Sequence, residues 1–363
     1  MRVLFIAPAS GPSGGICQWT KHILAYYESL KNKPIHLDVY DTARSEFIPD
    51  DISLLPRLWL AFKDYGLILK GLKLELSVNN YDVVHITSSA GLGLLRDLLM
   101  LRLAHKRGIK TILHFHFGRV PQLFVQRNWE YYLLSKVVKK ADRVIVLDKK
   151  SNETLKKSGY ANVELLPNPL APEVIQTISK IGIIKREPGL LLFVGHCIPT
   201  KGVFELVHAC KSLSNIRLRL VGAIQNEIRE QLQEIANHEQ WLEIMGEQPY
   251  EEVIRQMLTC DVFVLPTYTE GFPNVILEAM ACGCPIVTTP VGAIPEMLSA
   301  EGDKQSGVLI SCKNILALRD AIKTFMVNTQ HKEICGLNAK KRVNERYTID
   351  VVWQKMLDVW SRV

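Results

Sequence analysis

The chain has 363 residues, which is long for one hydrophobic core, so two domains are the default expectation. Hydrophobic residues make up 47% and charged residues 22% of the sequence, a composition that excludes disordered and low-complexity classes. No run approaches the roughly 20 apolar residues of a membrane-spanning helix. The first residues are too strand-like for a secretory signal, and we expect a cytoplasmic protein.

The net charge of +7 is divided unequally along the chain. Residues 1–170 contain 24 Lys and Arg against 15 Asp and Glu, whereas the remainder contains 20 against 22. A basic first half predicts an anionic partner there, either a phosphate-bearing acceptor or an acidic membrane face, with an ordinary solvated surface as the alternative. Nucleic acid ranks last, because the aromatic-interleaved basic patterns of RNA-binding modules are missing.

The eight cysteines form no CxxC pair and no regular framework, which favours reduced, buried thiols. Cys282 and Cys284 have a spacing found in metal sites, but no further ligands accompany them. We therefore interpret them as packing residues and expect no metal.

Short apolar runs alternate with helical patterns through the first half. A turn rich in Gly and Ser follows the first run over residues 10–15, and a helical pattern covers 17–30. This alternation predicts an α/β domain whose parallel sheet is covered by helices on both faces. The predicted strands cover residues 3–7, 35–40, 83–86, 111–116, 143–147 and 163–166.

Prolines at 167, 169 and 172 interrupt the chain, and the strand-helix pattern then restarts. We place a domain boundary at residue 170. The carboxyl ends of two doubly wound sheets are expected to face an interdomain cleft, because ligands bind at that edge of such sheets. The predicted strands of the second half cover residues 190–194, 217–221, 242–245, 262–265 and 285–288, and a largely helical stretch runs from about 315 to 363.

The segment from Glu270 to Glu278 follows a predicted strand and carries the strongest local signal. Gly271 and Pro273 predict a tight turn, and Asn274 is a plausible cap for a helix that runs to about residue 282. The N-terminus of a helix is a favourable site for phosphate groups. Glu278, one turn into the helix, can accept hydrogen bonds from ribose hydroxyls, and Glu270 can point at the group carried by the diphosphate. An isolated pair of glutamates would more simply be solvent-facing.

The sequence EGFPNVILEAMACGCPIVTT followed by VGAIPE resembles the signature of the retaining glycosyltransferases of family 4, which have the GT-B fold. The resemblance implies two Rossmann-like domains, an acceptor-binding domain at 1–170 and a nucleotide-sugar-binding domain at 171–345, with a C-terminal helix over 346–363 that packs back on the N-terminal domain. It also implies that Glu278 holds the donor ribose, that Glu270 lies near the donor sugar, and that Gly271, Phe272 and Pro273 contact diphosphate or sugar.

Two further positions follow the family pattern in the second half. Lys201, in the sequence Thr200-Lys201-Gly202, would neutralise donor phosphates. His196 stands where the family usually has Arg, and a neutral histidine offers one donor and no fixed charge. This departure places the donor affinity, or the donor itself, in question.

In the first half, Gly14 and Gly15 resemble the family's glycine loop, which would let donor or acceptor approach the backbone. His116 occupies the strand-end position where the family has a histidine that reaches the donor sugar, and His114 points the same way by period two. Either could act, and we favour His116. Zinc binding by the pair is disfavoured, because no third ligand is present. Arg119 is either an acceptor contact or plain surface.

The resemblance predicts transfer of a sugar from a nucleotide-sugar, a UDP-sugar by preference, to a glycan or lipid-linked acceptor in cell-surface polysaccharide or glycolipid synthesis. Strand-end loops lack a DxD motif, so we expect a metal-independent enzyme without cofactors. The alternatives are a sugar-nucleotide epimerase or hydrolase of the same fold and a non-catalytic sugar-nucleotide-binding subunit. A dinucleotide-dependent dehydrogenase is disfavoured, because no GxGxxG follows either first strand.

The stretch 58–76 interleaves basic and apolar residues in a helical pattern. Lys63, Lys70 and Lys73 alternate there with Trp59 and several leucines. A basic amphipathic helix of this type can lie on an anionic membrane. The competing interpretation is a core-facing helix with one solvated side.

Overall fold

The computed structural model describes residues 1–10, 14–43, 54–299 and 302–363 of the protein. The chain divides into two compact units, one made of Met1–Pro167 together with Val352–Val363 and the other of Asn168–Val351. This division falls close to the boundary predicted at residue 170, and the second unit extends beyond residue 345. Residues 11–13 of the predicted glycine-rich loop lie outside the described residues.

The first unit contains a six-stranded parallel sheet in the order β2-β1-β3-β4-β5-β6. Its strands are β1 (Arg2–Ala7), β2 (His36–Asp41), β3 (Val83–Ser88), β4 (Lys110–Phe115), β5 (Arg143–Val146) and β6 (Val163–Leu165). Its helices are α1 (Gly15–Ser29), α2 (Leu54–Val78), α3 (Gly93–His105), α4 (Val120–Gln126), α5 (Trp129–Lys140) and α6 (Lys149–Lys157). The side chains of Val3 to Ala7 in β1 are all buried, as expected for a central parallel strand covered on both faces.

The second unit contains another six-stranded parallel sheet, in the order β12-β11-β10-β7-β8-β9. Its strands are β7 (Leu190–Val194), β8 (Arg217–Val221), β9 (Leu242–Gly246), β10 (Val262–Leu265), β11 (Ile286–Thr288) and β12 (Val308–Leu309). The helices are α7 (Pro172–Ile181), α8 (Val203–Lys211), α9 (Asn226–Ile235), α10 (Tyr250–Thr259), α11 (Asn274–Ala281), α12 (Ile294–Met297), α13 (Ile315–Val327), α14 (Thr329–Arg346) and α15 (Ile349–Ser361). One-turn 3₁₀ helices cover Pro199–Lys201 and Gly302–Lys304.

The predicted α/β class and the two doubly wound sheets are present, and the predicted strands differ from the observed ones only at their ends. Two elements were not predicted. The strand β12 is a two-residue pairing with β11, too short to show a hydrophobic period. The helix α7 shows no clear apolar stripe in the sequence, because Val174 is its only buried residue and the neighbouring Ile175 is exposed.

The C-terminal helix α15 returns to the first unit, as the resemblance implies. Trp353 lies with its ring centroid 5.8 Å from Tyr26 and 5.9 Å from Tyr27. Trp360, two turns later, packs edge-on against Phe5 of β1. Both tryptophans are fully buried, and their spacing of seven residues places them on one apolar face of α15.

Each sheet reverses its strand order at one place. In the first sheet the reversal lies between β1 and β3, and in the second it lies between β7 and β10. Loops that leave adjacent strands in opposite directions open a crevice at the carboxyl edge, where ligands of doubly wound sheets bind. The candidate residues of the second unit follow these two strands directly.

Candidate functional site

Lys201 and Glu270 meet at the switch point of the second sheet. Lys201 ends the 3₁₀ turn after β7, and Glu270 lies in the loop after β10. The Nζ of Lys201 lies 2.5 Å from Oε1 of Glu270, and their side chains are 25% and 12% exposed. The structure therefore brings together two residues that sequence analysis placed at one site, and it joins them as an ion pair.

Two glycines hold the loops that carry this ion pair. Gly202 has a φ of +71°, and a Cβ there would collide with the carbonyl oxygen of Pro266 in the loop after β10. Gly292 has a φ of +55°, and a Cβ there would collide with the carbonyl oxygens of Glu270 and Gly271. Only glycine suits a backbone with these dihedrals and this close approach. The loops after β7, β10 and β11 thus pack backbone against backbone.

Hydrogen bonds fix the same three loops. The N–H of Tyr268 donates to the carbonyl of Thr200 at 2.9 Å, and the N–H of Ala293 donates to the carbonyl of Gly271 at 2.9 Å. Glu270 is therefore supported on both sides by neighbouring main chain. The Gly292 segment belongs to the VGAIPE motif, but its role in supporting Glu270 was missed.

The helix α11 follows this loop and begins at Asn274, with Pro273 as the preceding residue. The prediction that Asn274 caps the helix was wrong, because Asn274 is already helical and its side chain makes no capping hydrogen bond. Its Oδ1 is buried without a partner among the described residues. Phe272 is half-buried and its ring lies 5.9 Å from that of Tyr347. The loop from Gly271 to Pro273 is thus anchored by an aromatic contact at the start of α11.

Glu278 lies in α11 and is held by Tyr250, whose hydroxyl donates to Oε1 at 3.3 Å. Burial raises the pKa of Glu278 to about 7, because desolvation penalises the carboxylate more than the bond from Tyr250 stabilises it. Burial likewise raises the pKa of the Tyr250 hydroxyl, so that it remains a donor. Sequence analysis identified Glu278 and missed Tyr250, which no local pattern marks.

Gly195 and His196 follow β7. The N–H of Gly195 donates to the carbonyl of Val221, and Gly195 has a φ of +149°. Gly222 follows the last residue of β8, and a Cβ there would collide with the carbonyl of Gly195. The ends of β7 and β8 are therefore closely packed. The side chain of His196 is exposed beyond them. The position that departs from the family pattern is therefore accessible to a ligand.

In the first unit, His114 and His116 belong to a buried aromatic cluster at the end of β4. Their ring centroids are 4.2 Å apart, and Trp19 of α1 lies 5.0 Å from His114 and 4.5 Å from His116. Nε2 of His114 lies without a described partner, and so do Nε2 of His116 and Nε1 of Trp19, although all three atoms are buried. Polar atoms of this kind normally find partners, so three orphans in one cluster indicate contacts that the described residues do not supply.

His85 of β3 joins this cluster. Its Nε2 lies 3.3 Å from Nδ1 of His114. Burial lowers the pKa of His85 and of His116 to about 3, and lowers the pKa of His114 well below its ordinary value. All three rings are therefore neutral at pH 7. Sequence analysis missed His85, although a histidine inside the apolar run 83–86 was a visible signal.

Gly14 and Gly15 open helix α1, and both are exposed. No described atom lies within 4 Å of a Cβ built at either glycine, and neither has a positive φ. Packing against the described residues therefore does not explain these glycines, and open space lies beside both.

Arg119 precedes helix α4 and pairs with Glu130. Its two terminal nitrogens lie 2.9 and 2.6 Å from the carboxylate oxygens, and the N–H of Gly91 donates to the same carboxylate at 2.7 Å. Glu130 is 4% exposed, so Arg119 neutralises a buried charge. Its guanidinium is therefore engaged structurally, a role that neither sequence interpretation considered.

Cys282 and Cys284 are buried free thiols, as is Cys260, whose Sγ lies 3.9 Å from that of Cys284. Arg186 donates to the carbonyls of Cys260, Cys282 and Gly283 around them. Over the described ranges, no group of three or more His, Cys, Asp or Glu residues is arranged to hold a metal ion. Within the same ranges, no helix combines the length and apolarity needed to cross a membrane.

The pKa of Glu278 predicts a pH-dependent cost to stability. A carboxyl whose pKa is higher in the folded state than in the unfolded state destabilises the fold as pH rises from about 4.5 through 7. We expect Glu278→Gln to raise the melting temperature at pH 8. The free energy of unfolding should increase by on the order of 1 kcal/mol, because the replaced carboxyl is half-buried. At pH 5 the gain should be close to zero. Thermal denaturation at both pH values checks this, and an equal gain at pH 5 and pH 8 would contradict it.

Comparisons with known proteins agree with this arrangement. The model of the glycosyl transferases group 1 matches residues 174–342, and that of glycosyltransferase family 4 matches residues 20–174. An uncharacterised glycosyltransferase of Methanocaldococcus jannaschii, MJ1178, is 24% identical over 90% of this chain and 89% of its own length. The capsular polysaccharide biosynthesis glycosyltransferase CapM of Staphylococcus aureus is 25% identical, over 47% of this chain and 45% of its own length.

Solved structures share the fold. A sucrose-phosphate synthase from Thermosynechococcus elongatus superposes with a TM-score of 0.75 at 20% identity, covering 99% of this chain and 98% of that one. HepE of Anabaena, solved in complex with UDP, gives a TM-score of 0.70 at 18% identity and covers 100% of both chains. The two family models together take in residues 20–342, and the chain therefore belongs to the family 4 glycosyltransferases, enzymes with the GT-B fold.

Proposed function

We propose that the protein transfers a hexosyl group from a UDP-sugar to a glycan or lipid-linked acceptor, with retention of anomeric configuration and without a metal. The observation that carries this proposal is the Lys201–Glu270 pair at the switch point of the second sheet, next to the N-terminus of α11. One cation and a helix N-terminus at this edge suit a diphosphate.

The comparisons support the donor and the pathway class. HepE has been solved with UDP and with UDP-glucose, and its fold matches this chain over its whole length. CapM is named for capsular polysaccharide synthesis, and TuaC of Bacillus subtilis, 27% identical over 55% of this chain and 49% of its own length, is named for teichuronic acid synthesis. A cell-surface polysaccharide or glycolipid is thus the class of product that we propose.

The second unit would bind the nucleotide end of the donor. In this proposal Glu278 accepts hydrogen bonds from the ribose hydroxyls, and the backbone at Gly271 and Phe272 faces the diphosphate or the sugar. Lys201 neutralises the departing diphosphate, which spreads the negative charge that develops when the bond to the anomeric carbon breaks. His196 supplies one further hydrogen bond.

The Lys201–Glu270 contact argues against a covalent intermediate on Glu270. A carboxylate paired at 2.5 Å with a lysine has its charge compensated and is a poor nucleophile. We therefore propose that Glu270 orients the sugar. The acceptor oxygen bonds to the anomeric carbon on the face that the diphosphate leaves, and the acceptor proton passes to a diphosphate oxygen.

The first unit would supply contacts to the sugar or the acceptor. His116 and His114 end β4 with buried nitrogens that lack described partners, and Gly14 and Gly15 leave open space beside α1. Because both histidines are neutral at pH 7, they would act as hydrogen-bond donors or acceptors rather than as charges. Arg119, already paired with Glu130, is the weakest of the proposed acceptor contacts.

Membrane attachment is supported by the outer faces of α2 and α3. Leu67 and Leu74 of α2 are 60% and 65% exposed, and Lys70 and Lys73 are exposed beside them. A groove of about 760 Å³ continues this surface. Its apolar side chains are leucines and its charged side chains are all basic: Leu69, Leu99 and Leu103, with Lys70, Lys73, Arg102, Lys106 and Lys140.

This groove contains no acidic residue, and its five Lys and Arg side chains form no ion pair among the described residues. Leucines beneath unpaired cations suit an anionic lipid, whose chain contacts the leucines and whose head group contacts the lysines. The side chain of Trp59, part of the predicted amphipathic stretch, lies outside the described residues. We propose that α2 and this groove hold the enzyme on an anionic membrane face.

We expect Lys201→Met to lower kcat roughly 100- to 1,000-fold, because the variant loses a preorganised contact to the negative charge that develops on the departing diphosphate. Glu278→Gln should instead raise the KM for the donor, because its contact to the ribose is made in both ground and transition states. Nucleotide release from UDP-sugars, with Lys211→Met as an exposed lysine control in α8, measures both. Equal effects of Lys201→Met and Lys211→Met would contradict the assignment of Lys201.

A donor panel tests the activity itself. We expect UDP release from at least one UDP-sugar, undiminished by EDTA, with an α-linked product detectable by NMR when the donor is α-linked. GDP-sugars in the same panel test the nucleotide. If no donor releases its nucleotide, with or without a lipid acceptor, while binding persists, the protein would be a sugar-nucleotide-binding subunit rather than a transferase. Conversion of the sugar without transfer would instead indicate an epimerase or hydrolase.

Charge reversal tests membrane attachment. We expect the triple variant Lys63→Glu, Lys70→Glu, Lys73→Glu to bind vesicles of phosphatidylcholine and phosphatidylglycerol roughly 100-fold more weakly, from about 1 kcal/mol for each basic residue. A matched control carries Lys150→Glu, Lys156→Glu and Lys157→Glu in α6, with the same change in net charge. Vesicle flotation measures both variants. Equal losses would show attraction by net charge alone, and unchanged flotation of the first variant would refute the proposed surface.

A further inference from the structure

Three buried rings of the first unit form a hydrogen-bonded chain. Nε1 of Trp360, in the last turns of α15, lies 2.9 Å from Nδ1 of His85. Nε2 of His85 then lies 3.3 Å from Nδ1 of His114. His85 and His114 are 0% exposed and Trp360 is 1% exposed, so water does not compete for these atoms.

The direction of hydrogen-bond donation along this chain follows from Trp360. An indole N–H only donates, so Nδ1 of His85 must be an unprotonated acceptor. A neutral imidazole carries one proton, which in His85 is then on Nε2. His85 therefore donates to Nδ1 of His114, and the single proton of a neutral His114 is placed on Nε2.

The last atom of the chain has no described partner. Nε2 of His114 is buried and is left as a donor, within the cluster that also holds the unpartnered nitrogens of His116 and Trp19. A buried N–H without an acceptor costs about 1–3 kcal/mol. The chain thus maintains an unsatisfied donor at the end of β4, which an apolar residue in place of His114 would avoid.

We propose that Trp360 and His85 are positioning residues, which lock His114 as its Nε2–H tautomer and so fix the hydrogen-bonding character of the His114–His116 pair. The pair would accordingly present a donor to an oxygen of the sugar or acceptor. This role rests on the proposed function, in which His114 and His116 contact substrate. The tautomer itself does not, because it is set by contacts present without any ligand.

The position of Trp360 gives this chain a further consequence. Residues 352–363 join the first unit although they follow the whole second unit in sequence. The tautomer of His114 is therefore set by a residue near the C-terminal end, 246 positions later in the sequence. A change in α15 alone would alter the chemistry at the end of β4.

Trp360→Phe tests the chain with little change in ring packing. Nitrogen-15 spectra of histidine-labelled protein, assigned with His85→Gln and His114→Gln, report which nitrogen of each ring is protonated. In the unaltered protein we expect Nδ1 unprotonated and Nε2 protonated in both rings. In Trp360→Phe, His85 loses the donor that fixes it, and we expect both rings to populate two tautomers.

Trp353→Phe is the matched control. Trp353 lies in the same helix, is equally buried, and packs on Tyr26, Tyr27 and the edge of Trp360 rather than on a histidine, so a phenylalanine there keeps an aromatic ring beside Trp360. We expect it to lower the melting temperature about as much as Trp360→Phe, while leaving the histidine tautomers unchanged. Transfer activity should fall roughly 5- to 10-fold in kcat for Trp360→Phe, and less than about 2-fold for Trp353→Phe.

Substitution of His85 separates hydrogen bonding from packing. Gln can accept from Trp360 and donate to His114, whereas Phe can do neither. We expect His85→Gln to keep the tautomer of His114 and His85→Phe to lose it. The proposal is overturned if His114 carries its proton on Nδ1 in the unaltered protein, if Trp360→Phe leaves the spectra unchanged, or if Trp353→Phe changes them equally. Absence of transfer activity with the expected tautomers would count against the proposed function alone.

Discussion

The site in the second unit depends on close packing between main-chain segments at the carboxyl edge of its sheet. Gly202 lies against the carbonyl of Pro266, and Gly292 lies against the carbonyls of Glu270 and Gly271. These contacts leave no space for a Cβ, and they set the distance between the loops after β7, β10 and β11. The Lys201–Glu270 ion pair follows from that distance, because both side chains leave backbone that is already fixed. A preorganised cation of this kind needs little reorganisation when charge develops next to it.

The burial of Glu278 lowers the stability of the fold at neutral pH. This residue stands in α11 among the buried apolar residues Ile276, Leu277, Ala279 and Met280, and burial raises its pKa to about 7. The fold would be more stable at neutral pH with a glutamine or an apolar residue at this position. Tyr250 offsets only part of the desolvation with one hydrogen bond. Residues that break the local rules of stability in this way concentrate at functional sites, and Glu278 is such a residue on physical grounds alone.

The sequence predicts those parts of the fold that local patterns determine, and it fails where distant residues decide. The strands of both sheets were predictable because each is a short buried run between turn residues. Lys201 and Glu270 were each identified by their neighbours, but their ion pair depends on the order of β7 and β10 in the sheet. Asn274 was assigned as a cap because its residue type favours that position, and the observed helix begins one residue earlier than such a cap would allow. His85, Tyr250 and Trp360 were missed because their roles arise only from tertiary contacts.

Five basic side chains of the first half cluster in one groove, away from the candidate residues at the end of β4. At the carboxyl end of the first sheet the candidate groups carry no free charge, since the three histidines are neutral and Arg119 is neutralised by Glu130. Five cations without an ion pair among the described residues lie elsewhere, on the outer faces of α2 and α3 and at the end of α5. His105 and Lys106 end α3 just before β4 begins, so that groove lies toward the amino edge of the sheet and away from His116. The position of these five cations, beside exposed leucines, is one that an anionic surface would engage.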